Sequence, residues 1–304
     1  MTEMKAKESL VGIFYALAGG LCWGFSGSCG EYLFKVHGLD SSWLCSVRII
    51  CAGIVLLGIS LLRSRPALKA LFSNKKDLFV TVLFGIFGLL MSQFCYLTAI
   101  SYSNAGTATV LQYTGPVFVM VFSCFSGKRL PSVGEAVALA LAFGGTFLIA
   151  THGNFGSLAI SPRALAFGLL SALALVFYTL LPVNIIPKYG IMPIMGVGTV
   201  VGGLALLPFV RPWTYEVSLS PSGIAAFAAI VLVGTVLAFT LYIIGVERAG
   251  AVRASVAASD EPVAAAVISA LWFGNEFLFA DILGFAAIIA AVIILSLAKK
   301  KVSN

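Results

Sequence analysis

The sequence has very little charge for its length. Only 10% of its 304 residues are Asp, Glu, Lys or Arg, while 60% are apolar and 31 more are glycine. The mean hydropathy is +1.04. A soluble globule leaves too much of its chain at the surface to bury so many apolar residues. The composition therefore excludes a soluble enzyme, a nucleic-acid-binding protein and a disordered chain, and it predicts an integral membrane protein surrounded by a lipid bilayer.

Motifs for metal binding, redox chemistry and ATP hydrolysis are also missing. The chain has no Gly-x-x-x-x-Gly-Lys-Ser/Thr loop and no His-Glu-x-x-His pair. Six cysteines lie in apolar stretches without Cys-x-x-Cys spacing, and we interpret them as packing residues: Cys22, Cys29, Cys45, Cys51, Cys95 and Cys124. We therefore expect no enzyme activity, no metal and no cofactor.

Long apolar runs make up most of the chain, and a helix needs about 20 such residues to cross a bilayer. The breaks between the runs hold charge, proline or turn residues, as at Arg63-Ser64-Arg65-Pro66. The runs are too long and too uniform for membrane β-strands, which alternate. The sequence predicts an all-α protein with ten transmembrane helices, at residues 10–29, 41–62, 78–100, 105–126, 133–151, 164–187, 191–210, 221–246, 251–273 and 279–298.

The basic residues predict the orientation of these helices. With the N-terminus in the cytoplasm, fifteen of the 19 Lys and Arg residues fall on the cytoplasmic side. Lys35, Arg163 and Arg211 fall on the other side, and Arg48 lies inside a span. Basic residues concentrate on the cytoplasmic side of membrane proteins. We therefore predict a multi-pass protein of the plasma membrane with both termini in the cytoplasm.

An internal repeat divides the chain into two halves. An offset of 146 residues aligns Tyr96 with Tyr242 and Pro116-Val117 with Pro262-Val263. This predicts two five-helix repeats, at residues 1–151 and 152–304. Because five is odd, the second repeat enters the membrane from the opposite side. Inverted repeats of this kind are typical of secondary transporters, whose substrate site lies near the midplane between the halves.

Several short motifs resemble a known family. They are Trp23-Gly24, Arg48, Leu111-Gln112-Tyr113-Thr114-Gly115-Pro116, Glu261-Pro262 and Gly274-Asn275-Glu276. Together with the helix count and the inverted repeat, they resemble the EamA-type branch of the drug/metabolite transporter superfamily. The first repeat departs from the pattern, with Gly127-Lys128-Arg129 where the second has the Gly-Asn-Glu turn. The resemblance implies a transporter of small metabolites or drugs.

Asp260 and Glu261 are the first candidate site residues. They lie nine or ten residues into the ninth predicted span, which places them about 15 Å deep. A charge at that depth costs about 2.5–3.5 kcal/mol, so such residues are normally kept for function and face a cavity. Either could bind substrate or a coupling proton. The structural alternative is an ion pair with Arg48 or a bond to a backbone donor. Glu261 fits the Glu-Pro pattern of the resembled family, whereas Asp260 does not belong to it.

Other polar or kinked positions within spans complete the candidate site. Arg48 could bind a substrate carboxylate, pair with one of the acids or extend toward the surface. Pro116 and Pro262 lack a backbone donor and can kink their helices, or simply be tolerated. A group of aromatic and amide side chains could form an amphipathic pocket or pack in the core: Trp23, Tyr96, Gln112, Tyr113, Tyr178 and Tyr242.

These observations favour a secondary transporter of small organic solutes that works by alternating access. Its energy source would be a proton or substrate gradient. By resemblance, export of amino acids or related metabolites is the first hypothesis, and uptake of a cationic nutrient such as a quaternary amine is the alternative. A channel and an intramembrane enzyme remain as rivals from other classes. We expect a small-molecule substrate, no nucleic acid and no obligate protein partner.

Overall fold

The computed structural model describes residues 2–154, 159–249, 254 and 256–298. These residues form helices and short connections, with no strand among them. The start of the ninth predicted span, including Arg253, and the basic C-terminus lie outside the described residues. The helices are α1 (Thr2–His37), α2 (Ser41–Arg63), α3 (Arg65–Ser73), α4 (Lys75–Leu83), α5 (Met91–Tyr102), α6 (Ala105–Gln112), α7 (Gly115–Ser126), α8 (Val133–Thr151), α9 (Pro162–Leu180), α10 (Ile186–Tyr189), α11 (Ile191–Val210), α12 (Pro221–Val231), α13 (Ala238–Ala249), α14 (Glu261–Phe273) and α15 (Phe279–Ala298).

Eight helical segments of the described chain are long and apolar enough to cross a membrane. They are Leu10–His37, Ser41–Arg63, Lys75–Tyr102, Ala105–Ser126, Val133–Thr151, Pro162–Asn184, Ile191–Val210 and Pro221–Val246. Two further apolar helices, α14 and α15, occupy the ninth and tenth predicted spans. The prediction of an all-α membrane protein is confirmed, while the count of ten spans stays a prediction.

Helix contacts come in matching sets. The first span, α1, packs against α12–α13 and α14, the eighth and ninth spans. The sixth span, α9, packs in the same way against α5 and α6–α7, the third and fourth spans. The second span packs against the seventh (α2 with α11) and the fifth against the tenth (α8 with α15). Shifting every span number by five converts one set into the other, as expected for two related five-helix halves. The boundary between residues 151 and 152 stays a prediction.

The third and eighth spans share a local irregularity. Each contains a π-helical turn, at Phe84–Leu90 and at Leu232–Leu237. Such turns place an extra residue in the helix and often occur at functional sites. In the first of them, Gly85 lies so close to α11 that an added Cβ would stand 2.4 Å from the carbonyl oxygen of Gly198.

The fourth and ninth spans are interrupted at their prolines. α6 ends at Gln112 and α7 begins at Gly115, with Pro116 in its first turn. The 3₁₀ turn Ala258–Asp260 precedes α14, with Pro262 in its first turn. Proline is tolerated there because the first turn of a helix leaves its N–H groups unpaired in any case. The fourth span is therefore a pair of shorter helical segments, and in the ninth a 3₁₀ turn leads into α14.

The connections between successive spans, which include the short helices α3 and α10, alternate between two ends of the bundle. Residues 38–40, 103–104 and 211–220 lie at one end, which the charge count predicts to face outward. Residues 64–74, 127–132 and 185–190 lie at the other, predicted to be cytoplasmic. The names outer end and cytoplasmic end are used in this sense below.

Candidate substrate cavity

A cavity of about 360 Å³ lies between the two halves. This volume suits a small organic molecule, since ligand pockets occupy about 300–1,000 Å³. The first half contributes residues of α1, α2, α5 and the break between α6 and α7, together with Leu89 of the first π-helical turn. The second half contributes α9, α11, the second π-helical turn, α13 and the turn before α14. Both irregular pairs of spans thus meet at the cavity.

Most of the residues that the sequence singles out line this cavity. They are Trp23, Arg48, Tyr96, Gln112, Tyr113, Pro116, Tyr178, Tyr242 and Glu261. Asp260 and Pro262 are not among the lining residues. The structure therefore separates the two adjacent acids, and the roles of all eleven residues stay predictions.

Glu261 is held by one side chain from the opposite half. The Tyr113 hydroxyl lies 3.0 Å from Glu261 Oε2 and 2.8 Å from the Ala258 carbonyl oxygen, and it can donate to either. This contact joins the interruption of the fourth span to that of the ninth. A carboxylate has about four acceptor positions on its two oxygens, so Glu261 retains most of its capacity for a donor that enters the cavity.

Arg48 lies on the wall of the same cavity, with only 9% of its surface exposed. Across the described ranges, no carboxylate forms an ion pair with it and no acceptor forms a hydrogen bond with it. The predicted bridge between Arg48 and an acid is thus absent from this part of the chain. Two polar groups of the cavity wall have other partners, since Tyr96 bonds Thr109 at 2.8 Å and Gln112 donates to Ser92 at 3.2 Å. Within the described ranges the donors of the guanidinium therefore have no protein partner.

Asp260 packs against α1 instead. A Cβ added at Gly20 would overlap its carboxylate, so the glycine makes room for this side chain. Its Oδ1 atom is buried and has no hydrogen-bond partner among the residues that the structure describes. A buried carboxylate oxygen without a donor carries a desolvation penalty.

An aromatic cluster forms one wall of the cavity. The ring of Trp23 lies 5.4 Å from that of Phe239, edge to face, and 5.3 Å from that of Tyr242. All three residues line the cavity. Their faces carry negative partial charge and can contact an apolar group or a cation.

Sequence reasoning missed three buried acids, Glu31, Asp77 and Asp281, and several hydroxyl groups. Glu31 lies two residues beyond the first predicted span, 10–29, and was therefore not considered, whereas α1 continues to His37. Glu31 and Lys35 form an ion pair four residues apart within this helix. That spacing is visible in the sequence and could have extended the span. The hydroxyl residues Ser92, Thr199 and Thr235 also line the cavity.

The fold and the cavity define a multi-pass helical membrane protein built from two related halves with a solute-sized site between them. The chain belongs to the EamA-like transporter family, whose model matches residues 10–151 and again residues 162–297. This agrees with the resemblance seen in the sequence and makes the protein a membrane transporter.

Named relatives support this assignment. An uncharacterized inner membrane transporter of Salmonella typhimurium, YicL, is 35% identical over 95% of this chain and 96% of its own length. An uncharacterized transporter of Bacillus subtilis, YetK, is 26% identical over 84% of this chain and 78% of its own length. One solved crystal structure has a TM-score of 0.61 over 98% of this chain and 99% of that chain, at 16% identity, which indicates a shared fold.

Proposed function

We propose that this transporter carries small zwitterionic solutes, such as amino acids or closely related metabolites, by alternating access between its two halves. The supporting observation is that the cavity presents one cationic and one anionic side chain that do not pair with each other in the described chain. Arg48 offers donors to a carboxylate, and Glu261 offers acceptors to an ammonium group.

The aromatic wall fits the rest of such a solute. Trp23, Phe239 and Tyr242 would contact its apolar side chain, while the two charged residues fix its polar end. Export is the direction that the family resemblance favours, and a proton or substrate gradient is the expected energy source.

The test is a thermal-shift screen of the purified protein against the standard amino acids, quaternary amines and nucleosides, followed by uptake into liposomes. We expect amino acids to stabilise the protein, because a ligand that binds only the folded state raises its stability. Stabilisation by nucleosides alone, or passive flux without saturation, would contradict the proposal.

Uptake of a cationic nutrient is the second candidate. It is favoured by the combination of Glu261 with the aromatic wall, since aromatic faces bind quaternary ammonium groups. The free guanidinium of Arg48 argues against it, because that charge repels a cation in the same cavity. A screen in which quaternary amines stabilise the protein and amino acids do not would decide for this candidate.

A further inference from the structure

Glu31 is a buried carboxylate that the proposed substrate site does not use. Only 1% of its surface is exposed. It accepts hydrogen bonds from the backbone N–H of Ala105 at 2.8 Å, the hydroxyl of Ser269 at 2.6 Å and the amide of Asn275 at 2.6 Å. Lys35 Nζ lies 2.8 Å from Glu31 Oε1 and also donates to Asn275 Oδ1 at 2.8 Å. Four donors therefore satisfy this carboxylate.

These bonds join three spans at one end of the cavity. Glu31 lies one helical turn beyond Gly27, which lines the cavity wall. Its partners are Ala105, the first residue of α6, Ser269 near the end of α14, and Asn275, which follows α14. On α1, α2 and α6, the lining residues stop at least about 10 Å short of the outer ends of those helices.

On α9 and α11 the cavity extends closer to the cytoplasmic end, whereas on α2 its lining, from Arg48 to Leu56, stops seven residues from either end of the helix. Tyr178 and Met195 line it, two residues from the end of α9 and four residues from the start of α11. The bonds of Glu31 therefore lie between the cavity and the outer end.

The cytoplasmic end of the described chain has a buried acid of its own, Asp77 of α4, which accepts from Lys188 Nζ at 3.1 Å and from the Tyr189 hydroxyl at 2.9 Å. It lies at the start of the third span and not at the position that corresponds to Glu31. Ser123 is the counterpart of Ser269 at the 146-residue offset, but its hydroxyl donates to the carbonyl of Val119 in its own helix. α9, the counterpart of α1, contains no acidic residue. The two halves are related in fold, yet only one of them carries an acid at this place.

We infer that Glu31 is the latch that closes the outer end of the cavity, with Lys35, Ala105, Ser269 and Asn275 as its partners. Separating α1 from α6 and α14 breaks charge-assisted bonds that only the closed arrangement makes. Replacing Glu31 by Gln removes the ion pair with Lys35. It also turns one acceptor oxygen into an amide NH₂ group, which can only donate and then faces the NH₂ group of Asn275. The fraction of molecules whose cavity is open to the outer end should then rise.

The experiment uses the full chain with its six native cysteines replaced and Leu175→Cys as a reporter, because Leu175 lines the cavity and is half-buried. A membrane-impermeant thiol reagent is applied from each side of the membrane in turn. Glu31→Gln should speed labelling from the outer end about tenfold, as expected when a charged hydrogen-bond network that favours one state is removed. Lys35→Met, at a partly exposed position, should give a smaller increase.

The matched pair of serine variants separates a latch from general loosening. Ser269→Ala should speed labelling from the outer end, while Ser123→Ala should leave the rate within about twofold of the reporter protein, since its bond stays within one helix. Unchanged outer labelling in Glu31→Gln, Ser269→Ala and Lys35→Met would overturn the inference, as would equal increases from both sides. If Glu31→Gln does not purify as a single species, the other two variants decide. The assay needs no substrate, so its result is independent of the proposed solute.

Discussion

Replacing Arg48 by Met tests the zwitterion hypothesis most directly. Methionine keeps an unbranched, apolar stem of similar reach and removes the guanidinium. Because Arg48 has no acceptor among the described residues, its loss leaves no buried partner unsatisfied in the protein itself. Each hydrogen bond between charged groups contributes about 1.5–3 kcal/mol, so loss of the contact to a carboxylate should weaken binding about 10- to 100-fold.

The assay compares two ligands that differ only in the carboxylate. The first is the amino acid that stabilises the protein most, and the second is its decarboxylated amine. In the unmodified protein the amino acid should bind about 10- to 100-fold more tightly, and in Arg48→Met this difference should disappear. Dissociation constants from calorimetry on purified protein measure both effects.

Arg163→Met is the matched control. Arg163 stacks over the ring of Tyr102, 5.4 Å from its centroid, and does not line the cavity. It should leave both constants unchanged. The reasoning is refuted if the amine binds the unmodified protein as tightly as the amino acid, or if Arg48→Met weakens both ligands equally.

Three further predictions address coupling, topology and packing. Glu261→Gln should impair solute binding or pH-driven accumulation in liposomes more than Asp260→Asn, because only Glu261 of the two acids lines the cavity. If both single variants and the double variant behave like the unmodified protein, the two acids have a structural role only. Single cysteines, labelled from outside intact cells, test the orientation, and outside labelling at the cytoplasmic positions would reverse it. The positions expected to react are His37, Asn154 and Trp213, and those expected to be protected are Lys75 and Lys128. Gly85→Ala should lower the free energy of unfolding by about 1–3 kcal/mol, since its Cβ would collide with Gly198. Gly144→Ala, which has nothing within 4 Å of the added Cβ, should raise it by up to about 1 kcal/mol. Thermal unfolding in detergent compares the two variants, and equal shifts would contradict the close packing at Gly85.

Apolar run length predicted most of the membrane helices well. The predicted spans 105–126, 133–151 and 191–210 agree with the structure at both ends, because a turn residue or charge bounds each of them. The first span was predicted too short, since Glu31 and Lys35 look like the charges that end a span. Inside α1 the two charges pair with each other, and Glu31 is buried while Lys35 stays partly exposed.

The lining of the cavity was only partly predictable. Arg48 and Glu261 could be identified from the sequence because a charge deep in the bilayer is costly and normally faces a cavity or a partner. Asp260 could not be separated from Glu261, since adjacent helical positions point about 100° apart and the sequence does not fix which one faces inward. Lining hydroxyls such as Thr199 gave no signal, because a threonine in a helix can bond its own backbone; Thr199 donates to the Met195 carbonyl at 2.6 Å.

Hydrogen-bond partners distinguish Glu31 from Glu261 more clearly than their depth in the protein does. Glu31 receives four donors from the protein and has no access to the cavity wall, so it can stabilise an arrangement of helices but has little capacity left for a solute. Among the residues that the structure describes, Glu261 receives a single hydroxyl, from Tyr113 of the other half, and it lines the cavity. A solute ammonium that bonds Glu261 therefore adds a donor where one is missing. Tyr113 lies beside the break in the fourth span, and Glu261 lies beside the break in the ninth. A solute that changes the contact between them therefore acts where the two halves meet, on the same two spans that Glu31 joins to α1.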